Sequence, residues 1–491
     1  MAGILKKLAG QTMVYGLSSI VGRMLNFLLV PVYTAVLLPA DYGIVSELYA
    51  YVAFLLVVLT FGMETTYFKF INDSKDKQQT FNQSFLILLI VNIAFLVLGI
   101  LMLNSISAWM LYEDYPEFIF LLLLIVVIDA LSSLPLAKLR AEQKSMQFAK
   151  VQLVSIGVNI VFNLFFLLVL FNPETDEPYL GVLYIFIANL LASLVKIAML
   201  AQSIFSVEFK FDWALIKKMT YYAFPIVIAG LAYVVNETLD RIMLKQLLNN
   251  PDVVPETFLE SPLRYAETQV GIYSASYKLT MFIALFLQAF RYAAEPFFFA
   301  NAKNDPGRKV YAKIMNLFVA VLCFAFLLVA LNMDVFKHFI SNEAYHVGLG
   351  VVPILLLANV FLGVYANQSI WYKLSGQTRF GAYISVGGAL ITITLLALLI
   401  PIYGYWAAAW TTFTVYGLQM IASYLLSQKY YPIHYNLRKT GLYFIVALLI
   451  FGLANWIDLN PGFVKMLVHN LFILVFIALV WMFERKTIRN V

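Results

Sequence analysis

Apolar runs of about 20 residues, divided by short polar breaks, recur along the whole chain. A hydrocarbon core of about 30 Å crossed at about 1.5 Å per residue needs runs of that length. Backbone inside lipid must satisfy its own hydrogen bonds, so such runs become helices. The period-2 alternation of a membrane β-barrel strand is absent from the sequence. The pattern predicts an all-α polytopic membrane protein of about fourteen spans, near residues 11–37, 41–66, 80–104, 117–138, 148–171, 179–203, 216–247, 268–300, 310–331, 347–372, 380–400, 404–428, 440–456 and 463–483. Residues 1–205 are expected to form one six-helix lobe and 206–430 a second, with two additional C-terminal helices in 431–491.

Charge fixes an orientation for this pattern. Only 12% of the 491 residues are charged, whereas 62% are hydrophobic; a soluble domain carries about 25% charged residues. With the N-terminus placed inside, and span ends counted with the loops they adjoin, 24 of the 33 Lys and Arg residues fall in cytoplasmic segments. Five fall outside and four within spans. This is the asymmetry of the positive-inside rule, and it predicts that both termini are cytoplasmic. The outside loops are short, and two carry acidic groups, Glu113, Asp114 and Glu117 in one and Glu174, Asp176 and Glu177 in the other. Basic residues dispersed over many short loops account for a pI near 9.0 through topology, so no nucleic-acid partner is expected. Lys6 and Lys7 precede a long apolar stretch that reads as a first span rather than a signal peptide. The single cysteine, Cys323, excludes an intrachain disulfide.

A repeat lies beneath the pattern. The second span opens Tyr42-Gly43-Ile44-Val45-Ser46-Glu47-Leu48-Tyr49, and the eighth opens Val270-Gly271-Ile272-Tyr273-Ser274-Ala275-Ser276-Tyr277. Gly, Ile, Ser and Tyr recur in register at an offset of 228. Each segment follows a span containing a proline, Pro31 or Pro225. Six spans is an even number, so the two halves share one orientation, as in parallel-repeat transporters that rock one half against the other.

These features carry a family resemblance. GRMLNFLLVPVYTAVLLPADYGIVS at 22–46, FGMETTYFKF at 61–70 and LPLAKLRAEQKSMQFAKVQ at 134–152 are three of its parts. Asp240-Arg241, VGIYSASYKL at 270–279 and AEPFFFA at 294–300 complete it. The chain resembles Wzx-type oligosaccharide-lipid flippases of the multidrug/oligosaccharidyl-lipid/polysaccharide exporter superfamily, and also lipid II flippases. The resemblance covers nearly the whole chain. It implies a V-shaped pair of six-helix lobes around a water-filled cavity. It further implies a polyprenyl-diphosphate-linked glycan as cargo, a bacterial inner-membrane location and a glycan polymerase of the same pathway as partner.

Charges within spans are the candidate chemistry, because a charge at the bilayer centre costs roughly 2.5–3.5 kcal/mol and so faces a cavity or a partner. Arg23 lies halfway along the first span with Asn26 on the same face. Arg291 lies in the eighth span with Gln288 and Glu295 at helical spacing, and Lys278 sits nearer its outer end. Thirteen residues separate Lys278 from Arg291, which puts them about 140° apart on a straight helix. A guanidinium fork matches diphosphate oxygens, and lysine serves as a point charge. Arg23, Asn26, Lys278, Gln288 and Arg291 are therefore the expected cargo-binding set, against a structural alternative in which Arg291 pairs with Glu295. Glu47, Glu237, Asp240 and Arg241 are the expected ion-coupling or gating residues, with H+ or Na+ as the ion. The plainer reading of span 7 is an i,i+4 pair of Glu237 with Arg241. Glu64 and Asp129 read as hydrogen-bonding groups near the inner ends of their spans, and Lys196 as an interfacial side chain.

Missing motifs narrow the function. No phosphate-binding Walker loop occurs, and the four histidines lack metal-ligand spacing, so a secondary transporter without cofactor is expected rather than an enzyme. A drug or cation antiporter of the same superfamily calls for an anionic or aromatic cavity, which Arg23, Lys278 and Arg291 disfavour. A membrane glycan polymerase or ligase calls for a large outside loop, whereas the longest here, 248–267, has about 20 residues and no histidine.

Overall fold

The computed structural model describes residues 21–488 apart from 23, 26, 75, 289, 291–304, 458 and 461. No strand occurs among the described residues. Among them, eleven helices are long and apolar enough to cross a membrane, or twelve when the bent pair Pro262–Lys278 and Met281–Gln288 is one span. Tyr405–Tyr430 is a further 26-residue helix of less apolar composition. The first expected span, 11–37, lies partly outside the described residues. The helices cluster into two compact units, residues up to Gln246 with Leu263–Gly271, and Leu247–Pro262 with Ile272 onward.

Unit 1 comprises α1 (Val30–Val36), α2 (Pro39–Thr60), α3 (Met63–Asp73), α4 (Lys77–Leu101), α5 (Leu103–Trp109), α6 (Pro116–Ala141), α7 (Ser145–Phe165), α8 (Pro178–Met199) and most of α9 (Trp213–Leu248). The first turns of α1, α2, α6 and α8 each hold a proline. There the missing N–H has no partner to lose and the fixed φ suits the helix. The end of unit 1 where α2, α6 and α8 begin is called the Pro39 end below, and the opposite end the Lys144 end.

The second span is not one straight helix. Phe61 and Gly62 adopt left-handed φ values of 49° and 61°, which part α2 from α3. Gly62 fits because an added Cβ would sit 3.2 Å from Ile226 Cβ and 3.3 Å from the Ala223 carbonyl oxygen. The break leaves the Leu59 carbonyl without its helical donor, and the Asn92 amide supplies one at 3.0 Å. A polar side chain inside an apolar helix thus has a definite use, since an unpaired buried carbonyl is costly. At the Lys144 end, Gln83 accepts from the Asp212 N–H and donates to the Lys210 carbonyl, tying the extended 206–212 connection to α4. Met63, Tyr67, Phe81, Phe85, Leu134 and Met219 pack into one apolar cluster over this join.

Unit 2 includes α11 (Asp305–Leu331), α12 (Val352–Gln368), α13 (Arg379–Tyr403), α14 (Tyr405–Tyr430), α15 (Leu437–Trp456) and α16 (Phe463–Ile488). Trp371 is buried against Tyr311, Ile370, Phe380 and Ile433, and its indole N–H donates to Ser423. The last helix is held by polar contacts at both ends. Lys465 pairs with Asp334 at 2.8 Å, His469 meets the Leu331 carbonyl, and Asn470 donates to Asn332 at 3.0 Å. Glu484 accepts from Tyr443 and pairs with Lys439 of α15. The Lys465 hydrogen bond holds the Asp334 carboxyl below the usual carboxylate range.

The repeat seen in the sequence is a physical contact. Helix α10 (Pro262–Lys278) crosses α2 at Gly43 and Gly271. An added Cβ on Gly43 would lie 2.0 Å from the Glu267 carbonyl oxygen, and one on Gly271 would lie 1.7 Å from that of Pro39. Positions 39 and 267, like 43 and 271, are 228 residues apart, so each glycine receives the carbonyl of the residue four before the other. Small residues allow such main-chain approach between membrane helices. Gly43→Ala and Gly271→Ala should each destabilise the purified protein by about 1–3 kcal/mol or more, as overpacking does. Gly157→Ala, where nothing lies within 4 Å, should be neutral or slightly stabilising. Thermal unfolding in detergent checks all three, and an unshifted Gly43→Ala protein would remove the crossing.

Candidate functional site

Beside the glycine crossing lies a buried group of charges, all in unit 1. Lys245, on the last turn of α9, is fully enclosed. Its ammonium pairs with Glu47 Oε2 at 3.0 Å, donates to the Met110 carbonyl at 3.0 Å and lies 3.3 Å from the centre of the Tyr112 ring. The Tyr112 hydroxyl donates to the same Glu47 oxygen at 2.5 Å. Burial, then the Glu47 charge, pushes this phenol well above its ordinary range, so it remains a donor. Local backbone explains the placement. Helix α5 stops at Trp109, Leu111 takes a φ of 63°, and the turn presents the Met110 carbonyl and the Tyr112 ring to one ammonium.

The N-terminal parts of α2 and α10 add three more charges. Arg264 pairs with Asp41 at 2.8 Å and approaches Glu267 at 3.6 Å. Lys245 reaches the other Glu267 oxygen only at 3.9 Å. Asp41 sits in the first turn of its helix, where unpaired amides favour a carboxylate. One turn deeper along α9, Arg241 donates to Asp240 at 2.7 Å and to the Glu237 main-chain carbonyl at 2.6 Å.

At the Lys144 end, α2, α3, α6, α7 and α8 enclose a cavity of about 420 Å³. Its polar lining includes Glu64, Asp129, Arg140, Gln152 and Lys196. Glu64 pairs with Arg140. Asp129 accepts from Ser193 at 2.7 Å and Lys196 at 2.9 Å. Lys196 is therefore engaged inside the unit, not extended to the interface as expected. Each cation has a carboxylate beside it, so this cavity presents no net charge.

The remaining expected residues fall elsewhere. Arg23, Asn26 and Arg291 lie outside the described residues, as does Glu295. Lys278 ends α10 and is half-buried in unit 2. Gln288 is half-buried in the same unit, and its Oε1 is buried without a hydrogen-bond partner. Unit 2 also holds an apolar cleft of about 400 Å³ between α11, α12, α14 and α15, lined by Met315, Val360, Phe361, Met420 and Phe444. Gln368 Oε1 and the Tyr435 hydroxyl lie in its wall, buried and unpartnered. Among the described residues no three His, Cys, Asp or Glu side chains are grouped as metal ligands.

Asp41, Tyr112, Lys245, Arg264 and Glu267 were not singled out as site residues by sequence reasoning. The available signal was the concentration of Arg241, Lys245 and Arg264 in one outside segment, against the charge rule the other loops obey.

The family described as polysaccharide biosynthesis protein matches residues 8–302. No curated protein matches the chain in sequence. Among solved structures, the lipid II flippase MurJ in an inward closed conformation superposes with a TM-score of 0.69 at 13% identity, over 97% of this chain and 100% of its own. An inward-facing multidrug resistance MATE family transporter of the MOP superfamily gives 0.64 at 14% identity, over 83% and 94%. A MATE protein in the straight conformation gives 0.60 at 14%, over 86% and 95%. At these identities the likeness establishes the fold.

Removing one partner of a buried ion pair strands the other charge, which costs about 3–5 kcal/mol. Lys245→Met should lower stability by that amount, and adding Glu47→Gln should recover most of it. A double-mutant cycle on thermal unfolding reads this directly. Additive losses would mean that Glu47 and Lys245 do not act as a pair.

Proposed function

Because the chain belongs to the polysaccharide biosynthesis protein family, we propose that it is a secondary transporter that flips a polyprenyl-diphosphate-linked oligosaccharide from the inner to the outer leaflet by alternating access. The observation that carries this reading is the buried charge cluster at the Pro39 end of unit 1. Buried ion pairs are poor stabilisers, and well-packed apolar side chains of similar volume often serve stability better. A seal of Glu47, Lys245, Asp41 and Arg264 has a different merit. When it opens, its charges regain hydration, whereas a parted apolar seal would expose hydrocarbon to water. A contact that must form and break in each cycle is suited to charges.

The cargo assignment rests on the family and on chemistry. Arg23, Arg291 and Lys278 supply cations for the diphosphate, with Asn26 and Gln288 as hydrogen-bonding neighbours. The apolar cleft of unit 2 has the lining a prenyl chain requires. In this reading the Lys144 end faces the cytoplasm of a bacterial inner membrane and the Pro39 end faces outward, as the charge distribution indicates. A diphosphate carries about two negative charges, and a membrane potential contributes about 2.3 kcal/mol per charge per 100 mV. An inside-negative potential therefore assists outward movement, and a proton entering in exchange adds to it. Asp240 and Glu237, both beside Arg241, are the span-7 candidates for that role.

Reconstitution with a labelled polyprenyl-diphosphate oligosaccharide under an imposed potential tests the function. Arg23→Ala should abolish flipping while membrane insertion remains normal. Arg23→Lys should recover only part, because the bidentate fork is lost. Normal flipping by Arg23→Ala would remove it from the cargo site. Topology has its own test: cysteines at Lys144 and Lys309 should label only from the cytoplasm and one at Asp176 only from outside. Inside labelling at Asp176 would reverse the orientation.

A further inference from the structure

The charge group at the Pro39 end does not balance. Asp41, Glu47 and Glu267 bring three carboxylates, and Lys245 and Arg264 bring two cations. Geometry decides which carboxylate is left over. Asp41 has Arg264 at 2.8 Å. Glu47 has Lys245 at 3.0 Å and the Tyr112 hydroxyl at 2.5 Å on the same oxygen. Glu267 has Arg264 at 3.6 Å and Lys245 at 3.9 Å, each already engaged by a nearer carboxylate. Both distances exceed hydrogen-bonding range. Glu267 is nonetheless only 5% exposed. A buried carboxylate without a hydrogen bond or a cation of its own is the least stable ionised group in such a cluster.

We propose that Glu267 is a proton-binding site: its carboxyl holds one proton while the Pro39 end is assembled as seen, and that proton makes the buried cluster neutral. The groups facing it from each packed element support the same count. From α2 come Asp41 and Glu47. From the turn after α5 comes Tyr112, a neutral donor. From α9 comes Lys245, with the Asp240–Arg241 pair one turn deeper and Glu237 a further turn along. From α10 comes Arg264. Glu47 Oε1, which is buried and unpartnered, adds no cation. Loss of the Glu267 proton leaves one net negative charge among three carboxylates and favours separation of α2 from α10. The Glu267 main chain sits on Gly43, so this charge acts directly at the crossing. Joined to the transporter reading, on which this last step rests, acid at the Pro39 face closes that end and alkali releases it.

The experiment uses the full chain in lipid nanodiscs without cargo, so it does not depend on flipping. Infrared difference spectra during a pH titration should show a buried carboxylic-acid carbonyl band at neutral pH that disappears as pH rises. The band should be lost in Glu267→Gln and kept in Glu256→Gln, an exposed loop control. The unfolding temperature of the wild type should fall over the same pH range, and that of Glu267→Gln should stay flat. Asp41→Asn gives a second reading should the first variant fold poorly. With two carboxylates for two cations, Arg264 passes to Glu267, and the band should vanish although Glu267 is present. A band that persists in Glu267→Gln or in Asp41→Asn overturns the proposal. So does a pH-dependent step that changes when sodium replaces choline as the sole cation, because the site would then hold a metal ion. A protein that passes these tests yet fails to flip the labelled glycan would sink the transporter reading and leave the proton site standing.

Discussion

Two main chains come within contact of each other's carbonyl oxygens at Gly43 and Gly271, and the buried charges of unit 1 are arranged around that crossing. The order of dependence runs from backbone to side chain. A Cβ at either position would collide with a carbonyl and hold α2 and α10 apart. At a larger separation Arg264 on α10 would no longer reach Asp41 on α2. The ion pairs in turn give the crossing an energetic character that small residues alone lack. Packing between helices in lipid gains no hydrophobic term, whereas paired charges respond to water, potential and pH.

The spans were legible in the sequence because their hydropathy is a length measurement against the bilayer, and the repeat was legible because Gly, Ile, Ser and Tyr kept their register. The left-handed turn at Phe61–Gly62 was not. A glycine inside an apolar run has no local mark that separates a break from a close helix contact. Only Asn92, positioned to reach the Leu59 carbonyl, reveals that a main-chain oxygen there needs a donor. Lys196 went the other way. Its place at a helix end suggested an interfacial role, and the tertiary partner Asp129, 67 residues earlier, could not be read from either helix alone.

The candidate site was half legible for a related reason. Glu47 stands out as an acid within a span, but its partners come from α9 and from the turn after α5, elements whose approach no one-dimensional pattern encodes. Lys245 was hidden by its own type, since a lysine near a helix end is usually solvated. Glu267 was hidden by its position at the start of a span, where carboxylates are common. What distinguishes Glu267 is a count made after folding: two cations nearby, each nearer to another acid.

The polar fastening of α16 has a consequence for how the protein is made. The Leu331 carbonyl, Asn332 and Asp334 close the end of α11 and find His469, Asn470 and Lys465 only on the final helix. Helices enter the membrane in the order of synthesis, so these groups on α11 stay without those partners until more than a hundred further residues have been translated. Unit 2 is therefore completed from its C-terminal helix backward. A chain that ends early keeps only the local partners of this corner, Lys337 for Asp334 and the Leu328 carbonyl for Asn332, and lacks the fastening that the last helix supplies.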